Sequence, residues 1–155
     1  MAAQQAIIEL EAGQRPDGST VMEKVVVRPL QDGKVEMLHS PGFIKGIARG
    51  DTLILGRDNS YTIDVRGGMV AIQIYTRADV ARLEPKLSAE IKTMDGCRDI
   101  CTDRMLTYSV PVEAGFAAIE QVMQEVAEKY SDLQWVYGNV YNAEGEALNW
   151  WLNEK

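Results

Sequence analysis

Met69-Val70-Ala71-Ile72-Gln73-Ile74-Tyr75 runs directly into Thr76-Arg77-Ala78-Asp79-Val80-Ala81-Arg82-Leu83-Glu84-Pro85-Lys86-Leu87, and the apolar period changes at the junction. In the first half Val70, Ile72 and Ile74 alternate with Met69, Ala71, Gln73 and Tyr75, the two-residue repeat of a strand. In the second, Val80, Leu83, Leu87 and Ile91 return at helical spacing. Thr76 with an acidic Asp79 beyond it reads as the N-cap. Pro85 falls inside the pattern, where a missing N–H and a ring clash are expected to kink or split the helix.

Downstream, Gly96 ends that segment, and Cys97 to Cys101 with Met105 to Val110 read as a hairpin around Thr102-Asp103-Arg104. Glu113 to Tyr130 is the clearest helical stretch, with Phe116, Ile119, Val122, Met123, Val126 and Tyr130 on one stripe. Leu133 to Tyr141 is the last expected strand, and Ala147 to Leu152 a short apolar tail. The order strand, helix, strand, strand, helix, strand is that of a ferredoxin-like βαββαβ unit, with the first and third strands central. Its second sheet face has no helix to cover it and must meet solvent, the N-terminal strands or a partner.

Upstream, Val25 to Leu30 and Lys34 to His39 flank Gln31-Asp32-Gly33, whose Asp-Gly pair suits the positive φ angles of a tight hairpin turn. Asp51 to Leu55 and Tyr61 to Val65 make a second pair of strands. The expected fold class is therefore α+β: a small N-terminal antiparallel β sheet or barrel packed on the ferredoxin-like unit. Residues 1–22 read as a flexible arm, 23–67 as the small β subdomain, and 68–155 as the ferredoxin-like subdomain with its C-terminal tail.

Composition excludes several classes. The chain has 155 residues, and 16 Lys+Arg against 23 Asp+Glu leave a net charge of −7, without the clustered cations that nucleic-acid binding demands. No apolar run approaches the roughly 20 residues of a membrane span. Met1 to Glu11 has no basic n-region and its apolar stretch is broken by Glu9 and Glu11, so the expected compartment is the cytoplasm.

Pro41-Gly42-Phe43-Ile44-Lys45-Gly46-Ile47-Ala48-Arg49-Gly50-Asp51-Thr52, followed by Val65-Arg66-Gly67-Gly68, the cysteine-containing hairpin and Tyr108-Ser109-Val110-Pro111, resembles a bacterial family known as domain of unknown function 4265. The resemblance covers about residues 23–141. It implies a two-part α+β protein and carries over no catalytic residue.

Candidate sites are few. His39 with Ser40 and Asp51 contains the residue types of a small hydrolase, in which a histidine activates a nucleophile and a carboxylate orients it. Against this, Glu36 and His39 fall on opposite strand faces, and no Gly-x-Ser-x-Gly elbow presents Ser40. Gly42 to Gly50 lacks the Gly-Lys-Ser/Thr ending of a phosphate loop and reads as a bent corner. Asp99 with Asp103, and Glu144 with Glu146, lack the alternating ligands of a calcium loop, so no metal or cofactor is expected. Cys97 and Cys101 share a strand face on simple alternation yet stand too far apart to bridge, and read as reduced thiols. Trp135, Tyr137 and Tyr141 share the other kind of face, one of large aromatics, and Trp150 and Trp151 follow in the tail. Such residues either form a binding surface or lie beneath the folded-back tail, and both arrangements stay open.

These features lead to a non-enzymatic binding or regulatory module for a protein partner or small ligand, with a homodimer allowed and neither nucleic acid nor membrane as partner. The alternatives are an acidic immunity protein whose charge steers it onto a basic toxin, and the small hydrolase using His39.

Overall fold

The computed structural model describes residues 4–153. It is an α+β structure of two antiparallel sheets and two α-helices. The first sheet takes its strands in sequence order: β1 (Ala6–Gln14), β2 (Thr20–Pro29), β3 (Lys34–Met37), β4 (Thr52–Leu55) and β5 (Tyr61–Val65). Asp32 and Gly33 have φ of 62° and 74°, and Lys34 N donates to Gln31 O at 3.3 Å, so the Asp-Gly turn between β2 and β3 forms as its sequence demands.

β1 corrects the flexible arm expected over residues 1–22. Ala6–Gln14 pairs with β2 from Ala6↔Val27 to Gln14↔Thr20, with one bulge between Glu11 and Gly13. Glu9 and Glu11, which break the apolar stretch in the sequence, are the outward positions of an alternating strand. Ala6, Ile8, Leu10 and Ala12 face inward onto Val25, Val27, Val35, Met37, Ile44, Ile47 and Leu53. The sheet curls until its ends approach: Glu11 N donates to Asn59 O at 3.2 Å, and Asn59 Nδ2 returns a bond to Glu9 O at 2.9 Å.

The second sheet comprises β6 (Met69–Thr76), β7 (Cys97–Cys101), β8 (Met105–Pro111) and β9 (Leu133–Tyr137), in the spatial order β7-β8-β6-β9. α1 (Val80–Lys92) follows β6, and α2 (Phe116–Lys129) follows β8. Both helices cover one face, where Val70, Ile72, Ile74, Leu83, Leu87, Ile91, Leu106, Tyr108, Val110, Ile119 and Met123 make a single buried core.

Several local expectations change. The N-cap of α1 is Asp79, whose Oδ1 accepts from Ala81 N at 3.0 Å, while the Thr76 hydroxyl accepts from Ala78 N at 2.9 Å. α1 continues through Pro85, which faces solvent together with Ala81, so the carbonyl that loses its partner meets water. The second helix starts later than Glu113: Gly115, at φ 90°, separates a 3-10 turn at Val112–Ala114 from α2. β9 stops at Tyr137, and Tyr141 pairs instead with Ala147. In β7 a bulge between Arg98 and Ile100 reverses the alternation. Cys97 lies opposite Ser109 on one sheet face and Cys101 opposite Leu106 on the other, so the two thiols do not share a face.

Two stability outcomes follow. Pro85→Ala restores a backbone donor on an exposed helix face and should raise stability by about 1–3 kcal/mol, read by chemical denaturation. Tyr108 is fully buried with its hydroxyl 2.8 Å from Ser88 Oγ, and burial pushes its pKa up to about 12. The unfolded chain releases that proton near its ordinary value of about 10. The native state thus binds more protons between these limits, and stability should fall by about 2–3 kcal/mol as pH rises through that window. Tyr108→Phe should flatten the decline.

Candidate functional site

The sequence leaves one face of the second sheet without a helix, and the structure fills it with the connection between β3 and β4. That connection, residues 38–51, carries Pro41, Gly42, Gly46 and Gly50. A Cβ on Gly42 would stand 2.6 Å from Met105 Sδ, so the end of that flexible side chain would have to move aside.

The contacts are polar and buried. Ser40 Oγ lies 2.6 Å from Ser109 Oγ on β8, and Ser40 O accepts from Thr107 Oγ1 at 3.0 Å. Gln73 Nε2, on β6, donates to Pro41 O and Ile44 O, both at 3.1 Å, while its Oε1 accepts from Lys45 Nζ. Tyr75 Oη donates to Gly42 O at 2.6 Å. From the first sheet, Glu23 on β2 gathers the successive N–H groups of Gly42, Phe43 and Ile44 at 2.6, 2.9 and 3.0 Å. The connection is thus tied on one side to its own sheet and on the other to its neighbour.

At the β7 end, Arg49 Nη1 donates to Asp99 Oδ1 at 2.9 Å and reaches Cys97 Sγ at 3.2 Å. The bulge turns Asp99 inward, where its other oxygen accepts from Ser109 Oγ. Burial and the Asp99 carboxylate push the Cys97 thiol up despite Arg49. At the opposite end, Asp51 accepts from Ala48 N at 3.0 Å and Gly67 N at 2.8 Å, with Arg66 Nη1 at 3.4 Å. Burial pushes its carboxyl above the usual range although Gly67, Arg66 and Ala48 pull it down.

Of the hydrolase candidates, then, Ser40 and Asp51 are buried and bonded to other groups. His39 is half-buried, and among the described residues no hydrogen bond joins it to either.

The aromatic candidates divide. Trp135 and Tyr137 face the helices, edge to face at 5.1 Å, and Phe116 packs edge-on against Tyr137 at 5.5 Å and Trp151 at 5.1 Å. Trp150 is buried and donates through Nε1 to Asn139 O at 2.9 Å. Tyr137 Oη donates to Glu120 at 2.8 Å, and burial followed by that carboxylate raises its pKa. The tail therefore packs beside these rings, and only Tyr141, 47% exposed, stays largely in solvent.

The connection reaches the end of β9, where Gly46 N donates to Gly138 O at 2.8 Å, but leaves Gln134 and Val136 exposed, and two grooves flank the strand. One, of about 470 Å³, is lined by Lys45, Trp135, Val136, Tyr137 and Tyr141, and so brings three of the aromatic candidates to one groove. The other, of about 630 Å³, lies where β6, β8 and β9 meet, between Phe43, Tyr75, Arg77 and Arg104. Sequence reasoning missed this second set. The available signal was Phe43, a large ring between glycine-rich flanks with no apolar periodicity to bury it.

Removing one member of the seam should leave its partners unpaired in a dry interface. Gln73→Ala should cost about 1–3 kcal/mol, and should speed amide exchange at Gly42, Phe43 and Ile44 more than at residues of α1.

The comparisons with known proteins agree with this architecture. No curated protein matches the chain. A crystal structure of a hypothetical protein from Neisseria gonorrhoeae is similar with a TM-score of 0.64 at 15% identity, over 89% of this chain and 95% of that one, a likeness of fold. The sequence profile described as domain of unknown function, DUF4265, matches residues 23–133, a span that holds the Glu23 tie, the Pro41–Asp51 connection and the strands beneath it. The chain belongs to the DUF4265 family.

Proposed function

We propose that this protein is a non-enzymatic binding or regulatory module of the bacterial cytoplasm, and that it receives an extended segment of a protein partner along β9. We also read its second unit as a ferredoxin-like arrangement, since its first and third strands stand at the centre. Neither nucleic acid nor a membrane is part of this reading.

The observation that carries the reading is the state of β9. It stands at one end of its sheet, and Val136 and Tyr141, 42% and 47% exposed, flank the groove that Lys45 closes. An edge strand presents unpaired backbone groups to any chain that lies alongside it, and pockets for alternate side chains add selectivity. The seam supports the non-enzymatic part, because Ser40 and Asp51 hold the connection in place rather than facing a cleft.

Val136→Asp and Tyr141→Ala alter exposed positions and should change stability by no more than about 0.5 kcal/mol. Tyr141→Ala should weaken association with a captured partner by about 2 kcal/mol or more. The check uses the full chain as bait in a source-cell lysate, each retained protein being re-measured against both variants, with sedimentation to detect self-association. Proteins retained equally by the wild type and both variants would contradict the reading. A dimer lost in Val136→Asp would identify the partner as a second copy.

A further inference from the structure

The larger groove is built at a junction of strand ends. β6 finishes at Thr76, β8 begins at Met105 and β9 begins at Leu133. Thr76 N donates to Arg104 O at 2.9 Å and Arg77 N to Asp132 O at 3.2 Å, which fixes Arg77 and Arg104 at the same rim. Asp132 also lines the groove, yet none of the ion pairs among the described residues includes Arg77 or Arg104. Two exposed guanidinium groups outside the ion pairs thus stand at one groove of a chain whose net charge is −7.

An aromatic wall stands beside them. Phe43 is 54% exposed, and its ring stacks on Tyr75 with centroids 5.9 Å apart and planes 20° from parallel. Its backbone is held at Phe43 N by Glu23, and the Tyr75 hydroxyl is anchored to Gly42 O. The ring is therefore presented to solvent by a tied segment. The volume, about 630 Å³, is that of a small-molecule site.

We propose that this groove binds a small aromatic anion: an aromatic or heteroaromatic ring carrying a phosphate or carboxylate. Arg77 and Arg104 each offer paired N–H donors to the oxygens of such a head group, and the exposed face of Phe43 stacks on the ring. The site adjoins the partner surface proposed on β9 at Gln134, but does not rest on that reading.

The test titrates the isotope-labelled full chain with phenyl phosphate, adenosine monophosphate, benzoate and inorganic phosphate, followed by amide shifts. Phenyl phosphate should give saturable shifts at Phe43, Arg77 and Arg104 and bind at least tenfold more tightly than inorganic phosphate. The Arg77→Gln, Arg104→Gln double variant, with its melting midpoint retained, should weaken phenyl phosphate binding at least tenfold. Phe43→Ala should erase the preference for phenyl over inorganic phosphate. Tighter binding of adenosine monophosphate than of phenyl phosphate would assign the proposed anion to nucleotides, and the reverse order to simple aryl anions. Absence of saturable shifts with every probe, or binding that the double arginine variant leaves unchanged, would overturn the proposal.

Discussion

Ser40 Oγ and Ser109 Oγ stand 2.6 Å apart with both side chains out of water, and around that contact the connection between β3 and β4 is fastened to the second sheet. Thr107, Gln73 and Tyr75 hold its backbone carbonyls, Glu23 holds its N–H groups, and Arg49 and Asp99 close one end. Each apolar core, by contrast, lies within one half: the first among β1 to β5 and the connection, the second between the helices and their sheet. The junction of the halves combines these directional bonds with the Phe43–Tyr75 stack. Among the described residues no buried side-chain nitrogen or oxygen lacks a partner. A fully satisfied polar interface adds modest stability per bond, but an altered register would strand several groups at once, each at a cost of about 1–3 kcal/mol.

That constraint also positions the surfaces available for binding. Because the connection lies over β6, β7 and β8 and meets only the Gly138 end of β9, Gln134 and Val136 stay exposed and two grooves adjoin the strand. The same tie that buries Ile44 leaves Phe43 outward, since the backbone bends at Gly42 and Phe43 so that three successive N–H groups converge on one carboxylate. The glycines matter most where chains touch. A Cβ on Gly67 would lie 2.5 Å from the Gly50 carbonyl, beside the Asp51 carboxylate that accepts the Gly67 N–H.

Much of the architecture was legible because it is periodic. The change from alternation in Met69 to Tyr75 to helical spacing after Val80 located β6 and α1, and Asp32-Gly33 located a hairpin. β1 was missed because Glu9 and Glu11 read as interruptions, although a strand with one wet face carries charge at alternate positions. The bulge at Asp99 has no sequence signature of its own, so the separation of Cys97 from Cys101 onto opposite faces was hidden. Alternation placed Trp135 and Tyr137 on one face, but which face the helices cover depends on Phe116 and Trp151, remote in sequence. The seam was least legible, since its bonds join residues such as Ser40 and Ser109 across the two units, and a serine carries no mark of its partner.

The central claim is that this polar seam makes the two sheets one cooperative unit. Native-state hydrogen exchange on the wild type and on a Gln73→Ala, Ser109→Ala double variant tests it directly, by comparing amides of Val25 and Val27 on β2 with those of Ile72 and Tyr108 on the second sheet. In the wild type the two groups should open with the same free energy, and in the variant the β2 amides should open independently at a lower one. Equal protection of both sheets in the variant, at the wild-type level, would contradict the account.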